Sequence, residues 1–154
     1  MQPIFSCKKF TDLSPVELYA ILQLRNQVFV VEQNCVFQDA DNKDQISYHL
    51  MAWHDYTLVA YARLLNVGIA FTEVSIGRVI SNPDYRGTGI GKLLMQQAIS
   101  QCYWLFGVQN IRIGAQLYLK KFYEDFGFVQ CSEVYDEDGI DHIEMLASAM
   151  NNHA

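Results

Sequence analysis

With 154 residues, 51% of them apolar and 13% aromatic, the chain is long enough for one packed domain (1–154) and too apolar to stay disordered. A formal charge of −6 argues against nucleic acid as a partner, and four cysteines without a Cys-x-x-Cys pair argue against a metal or disulfide framework and for a reducing cytoplasm. No apolar run reaches the length of a membrane span, and Met1-Gln2-Pro3-Ile4-Phe5 lacks the charged and apolar regions of a signal peptide, so no membrane association is expected.

In chain order, residues 4–10 form a strand candidate. Ser14-Pro15-Val16-Glu17 then reads as a capping box with proline at the first helical position. Leu18, Ile21, Leu22, Leu24, Val28 and Val31 supply the buried stripe of that helix. From Glu32 to Ser47 polar residues take over, a connection long enough to suggest a functional segment. Residues 48–53 and 57–65 are strands joined by a turn near Asp55, and a third strand, 73–81, ends at Pro83. After a glycine-rich stretch, Ile90, Leu93, Leu94, Ala98, Cys102 and Leu105 keep one apolar helical face. Residues 110–115 are a short strand, and 116–126 a helix closed by Gly127 in a left-handed cap. Residues 128–134 and 141–147 form a final hairpin around Asp136-Glu137-Asp138-Gly139. This order gives a mixed α/β fold, a central sheet with helices on both faces.

The stretch Val79 to Lys92 reads as buried strand, turn and helix start. Glycines at 87, 89 and 91 leave backbone N–H groups uncovered where the helix begins, and Arg86 and Lys92 add positive charge, which makes an anion site. A triphosphate loop needs four residues before Gly-Lys and then Ser or Thr; here three residues separate Gly87 from Gly91, and Leu93 follows Lys92. The dinucleotide fingerprint matches only in part, because Lys92 stands where its third glycine belongs. What fits in full is Arg-x-x-Gly-x-Gly, Arg86 through Gly91.

That pattern resembles the pyrophosphate loop of the GNAT acetyltransferase superfamily. Phe122-Tyr123-Glu124-Asp125-Phe126-Gly127-Phe128 is similar to the family's Tyr-x-x-x-Gly-Phe signature, and it falls in the right order and separation. Leu24 to Cys35, the acidic residues beyond, His49-Leu50, Val134-Tyr135, Gly139 and His142-Ile143 resemble the ElaA-like branch. The resemblance covers essentially the whole chain. It implies a GNAT-type, mainly antiparallel sheet, acetyl-CoA as cosubstrate, no metal, and transfer of an acetyl group to a primary amine by direct attack. Backbone at Val79, Ile80 and Ser81 would pair with the pantetheine arm. Arg86, Gly87, Thr88, Gly89, Ile90, Gly91 and Lys92 would hold the diphosphate. Gln116 falls where the family often has Asn with Ala three residues on; Leu119 replaces that Ala, which leaves the Gln116 contact open.

A lysine-like amine with a pKa near 10.4 is neutral about once in 2,500 molecules at pH 7, a cost of ~4.6 kcal/mol. The departing thiol, near 8.5, needs less help, so an acid contributes roughly 10²-fold. The resemblance assigns the acid to Tyr123 and the base to Glu73, with Glu32, His49 and His142 as rivals on the acceptor side. Ten of the 17 acids crowd two segments, residues 32–44 and 133–144. In GNAT folds these flank the acceptor groove, so a cationic amine such as a polyamine, lysine or basic peptide is expected there. Asp39, Asp41 and Lys43 do not make a calcium loop, because Asp44 stands at the glycine position and Leu50 at the terminal glutamate. A non-catalytic acyl-CoA sensor is the alternative, a nucleotide-binding oxidoreductase a more distant one. The sequence leaves a homodimer open.

Overall fold

A computed structural model of the chain describes residues 1–149. Among the described residues there are eight strands, β1 (Ile4–Lys9), β2 (Tyr48–His54), β3 (Thr57–Leu65), β4 (Val74–Ser81), β5 (Ile111–Gln116), β6 (Phe128–Gln130), β7 (Tyr135–Glu137) and β8 (Ile140–Ala147). They form one sheet in the order β1-β2-β3-β4-β5-β8-β6, with β7 beside the first half of β8. Every pairing is antiparallel except that between β4 and β5. Three α-helices, α1 (Pro15–Arg25), α2 (Ile90–Phe106) and α3 (Lys120–Glu124), cover it.

Alternation along the central strands separates two cores. Leu50, Ala60, Ala62 and Leu64 point to α2 and α3, where they meet Leu94, Met95, Ala98 and Tyr123. Met51, Tyr61 and Ile80 point the other way, to Ile21, Leu24 and Val28. Helices therefore lie on both faces, as the order of elements requires.

Helix α1 starts as expected: the Ser14 side chain accepts from the Glu17 N–H and the Glu17 carboxylate from the Ser14 N–H. Its apolar stripe continues differently. After Arg25 the backbone widens into a π-helical turn, Asn26–Glu32, which keeps Val28 buried but carries Val31 out to 73% exposure. Such widened turns recur at functional sites. The expected helix at 116–126 is also shorter. Gln116 stays in the β5 ladder opposite His142, a 3₁₀ turn spans Leu117–Leu119, and α3 begins at Lys120. Gly127, at φ 92°, supplies the left-handed cap. In the final region the hairpin turn joins β7 to β8, while β6 pairs separately with the end of β8.

Candidate active site

The one parallel contact of the sheet is short. β4 and β5 pair only at Val74–Ile111 and Ser75–Arg112, then diverge. A cavity of about 380 Å³ opens in the gap, between Ile76–Val79 and Ile113–Gln116. That lies in the range of roughly 300–1,000 Å³ usual for small-molecule sites. The edge of β4 is also irregular here. Arg78 and Val79 together oppose Ala62, between the pairs Arg63–Gly77 and Tyr61–Ile80, which is a β-bulge. Arg78 sits at φ 48°, a costly conformation for a side-chain-bearing residue, and such strain gathers where backbone serves a ligand.

The bulge is held by charge. Arg78 Nε donates to Asp39 Oδ1 at 2.9 Å and its Nη2 to the Asp39 carbonyl at 3.0 Å. Arg25, with 0% exposure, donates to Asp39 Oδ2 and Asp44 Oδ1, each at 2.7 Å. Arg63 Nη1 bridges Asp41 and Asp44 at 2.8 and 2.9 Å, and its Nη2 reaches the second Asp41 oxygen at 2.8 Å. Burial disfavours ionisation of Asp41 and Asp44, yet the facing guanidinium groups hold both carboxyls below the usual aspartate range. Three arginines thus tie the 39–44 connection to α1, β3 and β4.

Tyr123 lines the cavity with 6% exposure, and its hydroxyl has no hydrogen-bond partner among the described residues. Burial, with the neighbouring Tyr118 adding to it, pushes the phenol up, so it stays an O–H donor at neutral pH. The Gln116 and Gln33 amides pair reciprocally at 3.3 and 3.4 Å, linking β5 to the π-helical turn along the cavity wall. The Cys35 thiol donates to the Asp138 carbonyl at 3.1 Å and joins the connection to the β7–β8 turn.

The glycine loop follows β4 directly. Gly87 and Gly89 have φ 81° and 83°, and a Cβ at either would meet nothing within 4 Å, so both are glycine for the backbone and open to a ligand. Gly89 is the N-cap of α2. Residues 86–89 and Lys92 are exposed, and Thr88 Oγ1 donates to the Tyr85 carbonyl at 2.6 Å. Uncovered amides on a 17-residue helix, with Arg86 and Lys92 beside them, fit a diphosphate.

The sequence matches the Acetyltransferase (GNAT) domain family over residues 13–148. The chain belongs to the GNAT acetyltransferase superfamily. It is 44% identical to Protein ElaA of Escherichia coli K12 over 137 residues, 88% of this chain and 90% of ElaA. The crystal structure of an acyl-CoA N-acyltransferase from Pseudomonas aeruginosa superposes with TM-score 0.91 at 43% identity, covering 95% of this chain and 99% of that one. The crystal structure of E. coli ElaA gives 0.89 at 40% identity, with the same coverage.

Beyond the glycine loop, the expected residues take different places in this GNAT frame. Val79, Gln116, Tyr123 and His142 line the cavity. Ile80 turns its side chain into the second core, leaving only its main chain for a ligand, and Ser81 is half-buried beside the loop. Glu32 lies outside the cavity and pairs with Arg86 at 2.8 Å, which joins the π-helical turn to the loop.

The roles expected for Glu73 and His49 do not fit their positions. Glu73 is not on the cavity wall; Arg112 donates to both its carboxylate oxygens, at 3.0 and 2.9 Å, and holds it below the usual glutamate range. His49 is 1% exposed, its two ring nitrogens engaged by the Tyr61 hydroxyl at 2.7 Å and the Asp44 carbonyl at 2.9 Å. Burial lowers its affinity for a proton, so it is a neutral structural imidazole. The expected acidic acceptor face is also halved, because Asp39, Asp41 and Asp44 are neutralised. Arg25, Arg63 and Arg78, which do this, have a sequence signal: each is a cation among apolar residues of a buried element and needs a buried anion.

Proposed function

We propose that this GNAT domain is an acetyl-CoA-dependent N-acetyltransferase that moves the acetyl group to a primary amine by direct attack through a tetrahedral intermediate. The observation that carries the reading is the cavity at the divergence of β4 and β5, next in chain to a glycine loop open to a diphosphate. The loop amides around Thr88, with Arg86 and Lys92, hold the diphosphate, and main chain at Val79, Ile80 and Ser81 runs beside the pantetheine arm. The bulge at Arg78–Val79 takes main-chain groups out of the ladder and makes them available to the thioester carbonyl.

Tyr123 is the group at the departing sulfur. An ordinary phenol is about 1.5 pK units less acidic than a thiol, and burial widens the gap. Full proton transfer to a thiolate is therefore uphill, and Tyr123 acts mainly by donating a hydrogen bond. On the acceptor side stand Gln33, Glu137, Asp138 and His142. The amine proton leaves through Glu137, Asp138 or His142 and water, since Glu73 is occupied by Arg112. That same occupation favours one other reading, a domain that binds acyl-CoA without turnover.

Acetyl-CoA turnover on a panel of amines, amino acids, polyamines and peptides, with coenzyme A affinity measured by calorimetry, separates them. The proposal expects micromolar coenzyme A binding and a rate that rises between roughly pH 6 and 9. Binding with no acceptor anywhere in the panel supports the sensor, and no binding at millimolar coenzyme A defeats both.

A further inference from the structure

We infer that the acceptor is a zwitterion, a short peptide presenting its α-amine, and that Lys43 reads its carboxylate. This rests on the acetyltransferase reading above. The ionisable side chains on the cavity wall are Asp41, Lys43, Arg78, Glu137, Asp138 and His142. Asp41 is committed to Arg63 and Arg78, and Arg78 chiefly to Asp39. Glu137 is paired with His142 Nε2 at 3.1 Å, while His142 Nδ1 is anchored on the Ile140 carbonyl at 2.8 Å. Two charged side chains remain without a partner among the described residues: the Lys43 ammonium and the Asp138 carboxylate.

These two come from different elements, the 33–47 connection and the β7–β8 turn, and do not pair with each other. Lys43 is half-buried, and its main chain is fixed on both sides: its N–H donates to Asp41 Oδ1 at 3.1 Å, and its carbonyl accepts from Ser47 Oγ at 2.5 Å. The arginine–aspartate network thus presents one uncommitted cation to the cavity from a rigid support. A polyamine would meet Lys43 and Arg78 as like charges. An apolar amine would strip water from Lys43 without replacing it. An acceptor with an ammonium toward Glu137 and Asp138 and a carboxylate toward Lys43 satisfies both signs, and Phe29 and Phe37 on the same wall suit an apolar side chain between them.

The protonation chemistry agrees. A peptide α-amine titrates near 7.7–8.0, so about one in six to one in eleven is neutral at pH 7 against about one in 2,500 for a lysine side chain. Such an acceptor needs no strong base, and the cavity wall holds no glutamate free of a partner among the described residues.

The test uses phenylalanylglycine, its C-terminal amide and spermidine with acetyl-CoA, on the wild type, Lys43→Gln and Lys43→Arg. Wild type is expected to prefer the dipeptide over its amide about tenfold in kcat/KM, mainly through KM. In Lys43→Gln that ratio falls to about one, and in Lys43→Arg most of it remains. A wild-type ratio of one or below, a better rate with spermidine, or an unchanged ratio in Lys43→Gln overturns the inference. Calorimetry of the dipeptide against the protein–coenzyme A complex decides it without turnover. Binding weakened fivefold or more by Lys43→Gln supports the carboxylate contact even if no acetyl transfer is found, an outcome that would sink the acetyltransferase reading alone; equal binding by both proteins refutes the contact.

Discussion

Two acidic stretches of similar density meet different fates in this fold. Asp39, Asp41 and Asp44 lie against Arg25, Arg63 and Arg78, with Asp39 and Asp44 buried. Asp136, Glu137 and Asp138 stand exposed at the β7–β8 turn, where, among the described residues, no arginine or lysine pairs with them and Glu137 alone meets an imidazole, His142. The difference lies in the cations, which are remote in sequence. Each arginine sits on an element that its apolar neighbours bury, so each must bring an anion in with it. One stretch becomes a clamp that shapes the cavity, and the other stays available at its rim.

Removing one partner from the clamp should produce the largest effect. Asp44→Asn leaves Arg25, at 0% exposure, and Arg63 short of a charge. Breaking a buried pair this way costs about 3–5 kcal/mol, read from urea unfolding. Asp138→Asn at the open turn should stay within about 0.5 kcal/mol. Equal sensitivity at the two positions would erase the distinction between them.

Next comes the chemistry beside which both stretches lie. Tyr123→Phe should reduce kcat roughly 10²-fold with coenzyme A affinity kept, because the hydroxyl has no structural partner among the described residues to lose. Full activity in that variant would remove the hydroxyl from catalysis and move support to the sensor reading.

Acid titration probes the clamp more gently. Asp41 and Asp44 have folded pKa values below their unfolded ones, so their stabilisation is complete above about pH 4 and is lost as pH falls through the folded values. Unfolding free energy should fall below about pH 4 by up to ~1.4 kcal/mol per pH unit for each group. Asp41→Asn should flatten that limb, and Asp138→Asn should leave it as it is. A limb unaffected by Asp41→Asn would show that other carboxyls control acid unfolding.

Strand and helix order were legible because capping chemistry and apolar period are local: Ser14 with Glu17, the alternation of β2 and β3, and Gly127 at the close of α3 all work within a few residues. The glycine loop was legible for the same reason. What could not be read was set by partners 14 to 39 positions away, such as Arg25 with Asp39 and Arg78 with Asp39. Those contacts turned an acidic run into a clamp. The bulge at Arg78 was equally hidden, since it shows only in the pairing register with β3, a distant partner in sequence.

The smallest expected effect concerns Glu73. Its place at the start of β4 suits a base by counting back from Arg86, but Arg112, itself shared with Glu144, takes both its oxygens. A carboxylate stabilised by a guanidinium is a weaker base than a free one, and it lies off the cavity wall. Glu73→Gln should therefore change kcat by less than about twofold and stability by no more than about 1 kcal/mol, as befits a partly exposed pair. The pH–rate profile should keep its rise between roughly pH 6 and 9. A loss near 10²-fold with a flattened profile would mean that Arg112 releases Glu73 when substrates bind, and the open hairpin would then no longer be the side from which the proton departs.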